Sequence, residues 1–237
     1  MARSLDGMDM FRDDADRVRF LELLSDKIGQ TNCRCYAWVL MRNHYHVVLR
    51  TGDDPLWKLM KPLNSIYAGY FNKKYERRGY LFQERFKSIA AQEQLYVESL
   101  IRYVHLNPIR AGVCAGLDEL DFWRWSGHSV LMGTTTSRFQ DTRTVLLRFG
   151  KRMDNARGRY RQFLEQGLRG EEAEVDGQIR YCTSAGRKRE EPGRWVIGDP
   201  EFVRDVFTRG SARRLRLARF AARGVDVRWV HHRVAEQ

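Results

Sequence analysis

The run CRCYAWVLMRNHYHVVLRT, residues 33–51, constrains the fold more than any other part of this chain. Two stretches of strand formers are separated only by Arg42 and Asn43. So short a connection joins antiparallel neighbours and nothing else, so the chain must contain a β-hairpin and an antiparallel sheet. Side chains at i and i+2 share one face of a strand. His44 and His46 therefore project together, while Tyr45, Val47 and Leu49 point the other way, into a core.

Helical patterns flank the hairpin. Asp13 and Asp14 open a helix with Val18, Leu21, Leu24 and Ile28 on one stripe, and Gly29 ends it. Asp54 and Pro55 start a second helix, residues 55–77, with Leu56, Leu59, Leu63, Ile66 and Tyr70 as apolar positions and Gly79 as its stop. ERFKSIA, residues 84–90, reads as a third strand. Residues 93–107 read as a third helix, closed by Pro108. The predicted order is αββαβα. Beyond residue 112 the pattern becomes an aromatic segment, DELDFWRWSGHS, followed by a helix over 141–168 anchored on Val145, Phe149, Tyr160 and Phe163. Residues 169–196 are polar and Gly-punctuated, as expected of a linker. A short helix follows Asp199-Pro200, and Asp226 caps a last one.

The chain is strongly basic, with net charge +12, a balance that favours nucleic acid as a partner. Residues 178–237 hold 14 Arg and Lys against 7 Asp and Glu, so more than half of the surplus lies in the last quarter. A solvated helical face explains any one of these arginines equally well. No run of eighteen apolar residues occurs, so no membrane partner is expected. Cys33, Cys35, Cys114 and Cys182 lack the paired spacing of a zinc site and are expected to be reduced thiols of a cytoplasmic protein.

Two imidazoles on one rigid face can share a metal ion, although an isolated H-x-H is more often a half-exposed strand. The third helix adds weight. Tyr103 and Asn107 are four residues apart, one turn on one face, beside the apolar Leu100, Ile101 and Val104. An ordinary amphipathic edge, with Asn107 as a C-terminal cap, is the competing reading. Arg85 and Lys87 alternate onto one face of the third strand, where they could hold phosphates or simply face solvent.

YAWVLMRNHYHVVL, GYLFQERFKS and RYVHLNPIRAGV together resemble three successive blocks of the REP-associated tyrosine transposases, single-tyrosine HUH enzymes with an insertion-sequence-200-like catalytic domain. The resemblance covers residues 11–168 well and the remainder weakly. It implies an α+β fold with a ferredoxin-like antiparallel sheet, followed by a helical C-terminal extension. It implies that His44, His46 and Asn107 bind Mg²⁺ or Mn²⁺ and that Tyr103 is the nucleophile. The substrate implied is single-stranded DNA beside a hairpin, cleaved through a 5′-phosphotyrosine, with Arg85, Lys87 and Arg110 as DNA contacts. A monomer or homodimer is expected. A non-catalytic DNA-binding descendant and a rolling-circle initiator are the alternatives.

The chain departs from that pattern. Such a sheet opens with a strand before the first helix, whereas MARSLDGMDM is not strand-like, so a first strand is expected to be missing and to be encoded upstream. The expected organisation is a catalytic domain over 1–135 and a basic helical region over 136–237, interrupted at its end.

Overall fold

The hairpin forms as expected. In the computed structural model, β2 (Arg34–Met41) and β3 (His44–Arg50) pair antiparallel, with Met41 opposite His44 and Val39 opposite His46. The structure describes residues 1–52, 54–170, 177, 179 and 196–209. The helix expected from Asp226, Cys182 and most of the expected linker lie outside these.

The first strand is present, which corrects the expectation. β1 (Ala2–Arg3) pairs with β3, Ala2 opposite Tyr45 and Arg3 opposite His44, giving a three-stranded sheet in the order β1-β3-β2. The pairing rests on backbone groups, which low strand propensity does not forbid. Ser4 N–H donates to the Asn43 carbonyl at 2.9 Å, and the N–H groups of Met10 and Phe11 donate to the Arg42 carbonyl. Residues 1–11 thus wrap the hairpin turn, and β3 becomes the central strand.

The strand expected over residues 84–90 does not form; only β4 (Ala90–Ala91) does. Residues 81–87 run beside the N-terminal segment without a regular ladder. Leu5 N–H bonds Leu81 O, Gln83 N–H bonds Arg3 O, and Lys87 N–H bonds Met1 O. Four residue steps on one side thus face two on the other, so the extra residues bulge out and alternation is lost. Arg85 and Lys87 are therefore not displayed by strand periodicity. The outer edge of β2 is also covered: Leu40 N–H donates to Trp125 O, and Asp141 N–H to Cys35 O. Covered edges remove the unpaired groups that make sheets sticky.

α1 (Asp14–Gln30) and α2 (Trp57–Lys74) pack on the Tyr45 face of the sheet. Asp13 caps α1 in a reciprocal box with Asp16. Phe20, Leu23, Leu24 and Ile28 are buried, whereas Val18 faces solvent. Phe20 meets the Tyr45 ring at 4.5 Å and the Tyr67 ring of α2 at 5.2 Å. Burying such a side chain contributes about 2–3 kcal/mol. The buried Asp16 carboxylate is paired with Lys74 at 2.7 Å and accepts from Tyr75 Oη at 2.8 Å, which ties α1 to the end of α2.

α3 (Glu93–Arg110) runs through Pro108 rather than stopping before it. A proline deletes one helix hydrogen bond, from its own nitrogen to the carbonyl four residues back, here Val104. Asn107 compensates: its Nδ2 donates to Tyr103 O at 2.7 Å and to Val104 O at 3.4 Å. The single helix expected over 141–168 is two, α6 (Thr142–Leu147) and α7 (Met153–Leu168), after α4 (Leu117–Leu120) and α5 (Gly127–Met132). Asp141 caps α6, and the chain leaves helix around Gly150.

The chain divides into two units. The first holds Met1–Lys87 and Ile101–Glu171, and so the sheet, α1, α2 and Ile101–Arg110 of α3. The second holds Ser88–Leu100 and Glu172–Gln237. In it β4 pairs in parallel with β5 (Val196–Ile197), and Asp199 caps α8 (Pro200–Arg209) while exchanging two hydrogen bonds with the Gln92 side chain. The whole is a mixed α/β protein with a three-stranded antiparallel sheet and eight α-helices among the described residues.

Candidate active site

His44 and His46 sit on the face of β3 opposite Tyr45, as period-two alternation requires. Their ring centroids are 5.1 Å apart. Tyr45 is fully buried among α1 and α2 and donates its hydroxyl to Asn64 Oδ1 at 2.6 Å, which pins the strand's rotation. On the histidine side lies α3. The Tyr103 ring meets the His46 ring edge-on at 5.9 Å, so the structure brings these two predicted residues together. Arg110, two turns after Tyr103, places its guanidinium 5.7 Å from the Tyr103 ring centroid.

Both imidazoles are held neutral. Burial, then the positive charge of Arg3 and of the N-terminal amine, pushes the His44 pKa down to about 4. Burial, the neighbouring His44, the N-terminal amine and Arg3 hold His46 well below its ordinary value. A neutral imidazole keeps the lone pair that a metal needs. Which nitrogen keeps it is set by the other one's partner. His44 Nδ1 lies 2.8 Å from Asn43 Oδ1, and Asn43 Nδ2 donates to Gly7 O at 3.3 Å. The amide oxygen only accepts, so Nδ1 carries the proton and Nε2 presents its lone pair. Asn43 and Arg3 were not singled out in the sequence; Asn43 reads there as a turn residue and nothing more.

The donor set fits a divalent cation at two positions. Among the described residues no group of three or more His, Cys, Asp or Glu is placed to hold a metal. A third protein ligand would come from outside those residue types. Asn107 has its Nδ2 committed to helix carbonyls, which leaves Oδ1 for that role.

Residues 8–107 match the family model described as Transposase IS200 like. This segment, 100 of the 237 residues, is similar to that family. No curated protein and no solved structure matches the chain. The transposase-like segment contains His44, His46, Tyr103 and Asn107, and it ends within α3 before Arg110. Of the remaining predicted DNA contacts, Arg85 is exposed, and Lys87 lies 3.8 Å from Glu84 with its backbone bonded to Met1. No described helix is long and apolar enough to cross a membrane.

Proposed function

We propose that this chain is a transposase, a single-strand DNA endonuclease and strand transferase of the REP-associated type, with Tyr103 as its nucleophile. The observation that carries the reading is the contact of the Tyr103 ring with the H-x-H face of β3, made by two elements nearly sixty residues apart in sequence. The neighbour order of residues 81–87, β1, β3 and β2 supports a ferredoxin-like sheet beneath the site.

His44 and His46, with Asn107 Oδ1, would hold Mg²⁺ or Mn²⁺. Such a cation supplies Lewis-acid stabilisation of charge on a phosphate oxygen. Imidazole ligands favour Mn²⁺ in affinity. The protein's own contribution is position. Tyr103 Oη attacks phosphorus, the bond to the 3′ oxygen breaks, and that oxygen leaves and takes up a proton. The 5′ side remains as a phosphotyrosine, whose ester energy allows a later 3′-hydroxyl to reverse the step. A phenol has a pKa of about 10, so the proton must be lost as attack proceeds. Arg110, beside the ring, and Arg85 and Lys87 are proposed phosphate contacts.

Incubating the full chain with a single-stranded hairpin oligonucleotide and Mn²⁺ should give a slower-migrating protein band on a denaturing gel. Tyr103→Phe should lose it while hairpin affinity stays within about threefold. A DNA-binding descendant without catalysis would bind the hairpin and give no band in either protein.

A further inference from the structure

A buried polar chain begins two residues after Tyr103 and ends at the surface of the first unit. His105 is fully buried, and its Nδ1 lies 2.7 Å from Tyr160 Oη on α7. His128 Nδ1 on α5 lies 2.9 Å from the same hydroxyl. His128 Nε2 lies 2.6 Å from Asp121 Oδ1, and Asp121 Oδ2 accepts from Arg161 Nε at 3.1 Å. Arg161 also pairs with Asp118 and Glu165.

With His128 neutral, one set of donor and acceptor roles fits this chain. The Asp121 carboxylate only accepts, so His128 Nε2 carries a proton. Burial keeps His128 neutral, below its ordinary pKa despite Asp121, so its Nδ1 is a bare acceptor. Tyr160 must therefore donate to His128, and its oxygen must accept from His105 Nδ1–H. Every link points one way, from α3 to Asp121.

A second contact fixes the same helix from the other side of Tyr103. Arg102 is fully buried, with its guanidinium 4.5 Å from the centroid of the Phe163 ring on α7. It crosses α7 where Gly167 leaves room: a Cβ there would collide with the Arg102 side chain. Residues 102 and 105, which bracket the tyrosine, are thus both seated on α7. The residues that seat them lie beyond position 107, where the match to the transposase model ends.

We infer that Tyr160, His128 and Asp121 are positioning residues that hold α3, and through it Tyr103, in register with the H-x-H face. The inference rests on the reading of Tyr103 as nucleophile. It makes residues 117–168 part of the cleavage apparatus rather than an appendage to it. A catalytic group displaced by about 1 Å can lose on the order of a hundredfold in rate.

The test uses the full chain, a labelled hairpin strand and Mn²⁺ in single-turnover cleavage. Tyr160→Phe keeps the ring and deletes the hydroxyl. The maximal rate should fall roughly ten- to a hundredfold while the DNA concentration for half-maximal rate changes less than twofold. Asp121→Asn offers a second route. Arg161 would claim the amide oxygen, the amide nitrogen would face His128, and every donor in the chain would reverse. Imidazole ¹⁵N shifts should then show the His105 proton moving from Nδ1 to Nε2, with a slower maximal rate. Wild-type rates in both variants would overturn the inference, as would a loss confined to DNA half-saturation. The parallel Tyr103→Phe arm separates the two readings. Persistent covalent product there defeats the nucleophile assignment itself, whereas its absence beside a wild-type rate in Tyr160→Phe defeats only the positioning.

Discussion

At the scale of single residues, the site depends on small polar groups that set the behaviour of larger ones. Asn43 fixes the tautomer of His44. Orienting partners of metal-ligating histidines are worth roughly ten- to a hundredfold in affinity. Asn43→Ala should therefore weaken Mn²⁺ binding about tenfold in calorimetric titration, and His44→Ala or His46→Ala should abolish it. Equal affinity in all four proteins would return the histidines to an ordinary strand face. Asn107 has a structural task as well, since its amide serves the Tyr103 and Val104 carbonyls around Pro108. Asn107→Ala should lower unfolding stability by about 1 kcal/mol, the usual net worth of such a bond. If Mn²⁺ affinity is unaffected by that change, Asn107 is a helix residue and not a ligand.

At the scale of elements, the covered edge of β2 hinges on Gln140. Its side chain accepts from Trp38 Nε1 at 2.9 Å and donates to Tyr36 O and Gly127 O. Gly127 is required because a Cβ there would sit 2.6 Å from Gln140 Oε1. Gln140→Leu would leave these buried groups unmatched, at about 1–3 kcal/mol each. Its urea midpoint should fall clearly, with cleavage per folded molecule little changed. A midpoint equal to wild type would mean that the edge is held by the backbone bonds alone. The elements were unevenly legible. The hairpin, the common face of His44 and His46 and the one-turn spacing of Tyr103 and Asn107 follow from strand and helix periods. β1 was not legible, because a two-residue strand is specified by carbonyls and N–H groups that any sequence carries. Pro108 misled for a physical reason: the compensating Asn107 amide is a side-chain contact that propensity cannot express. Asp121, His128 and Tyr160 were invisible as a set because they meet only in three dimensions.

At the scale of the whole molecule, four imidazoles are held neutral, three of them buried and His44 half-buried. His44, His46, His105 and His128 all have lowered pKa values, each chiefly through burial. The sign follows directly. The unfolded chain binds their protons below the ordinary value of 6.5, while the folded protein resists binding until far lower, about 4 for His44. Protonation thus favours the unfolded state, and stability rises with pH across this window. Metal-free protein should show a urea midpoint that falls steadily from pH 7 to pH 4.5. A flat profile would mean that the imidazoles are not buried as neutral groups. Saturating Mn²⁺ should raise the midpoint by a similar amount from pH 7 down to about 5, because in the folded protein His44 and His46 stay unprotonated over that range and protons do not compete for the site.

The proposed cleavage depends on one atom, Tyr103 Oη. Protein incubated with single-stranded hairpin DNA and Mn²⁺ can be digested with nuclease and protease, and the peptides sequenced by mass spectrometry. The mass of a residual nucleotide 5′-phosphate should lie on Tyr103, in the peptide that continues into Val104-His105-Leu106-Asn107. The same modification on any other tyrosine, with Tyr103 unmodified, would contradict the assignment of the site.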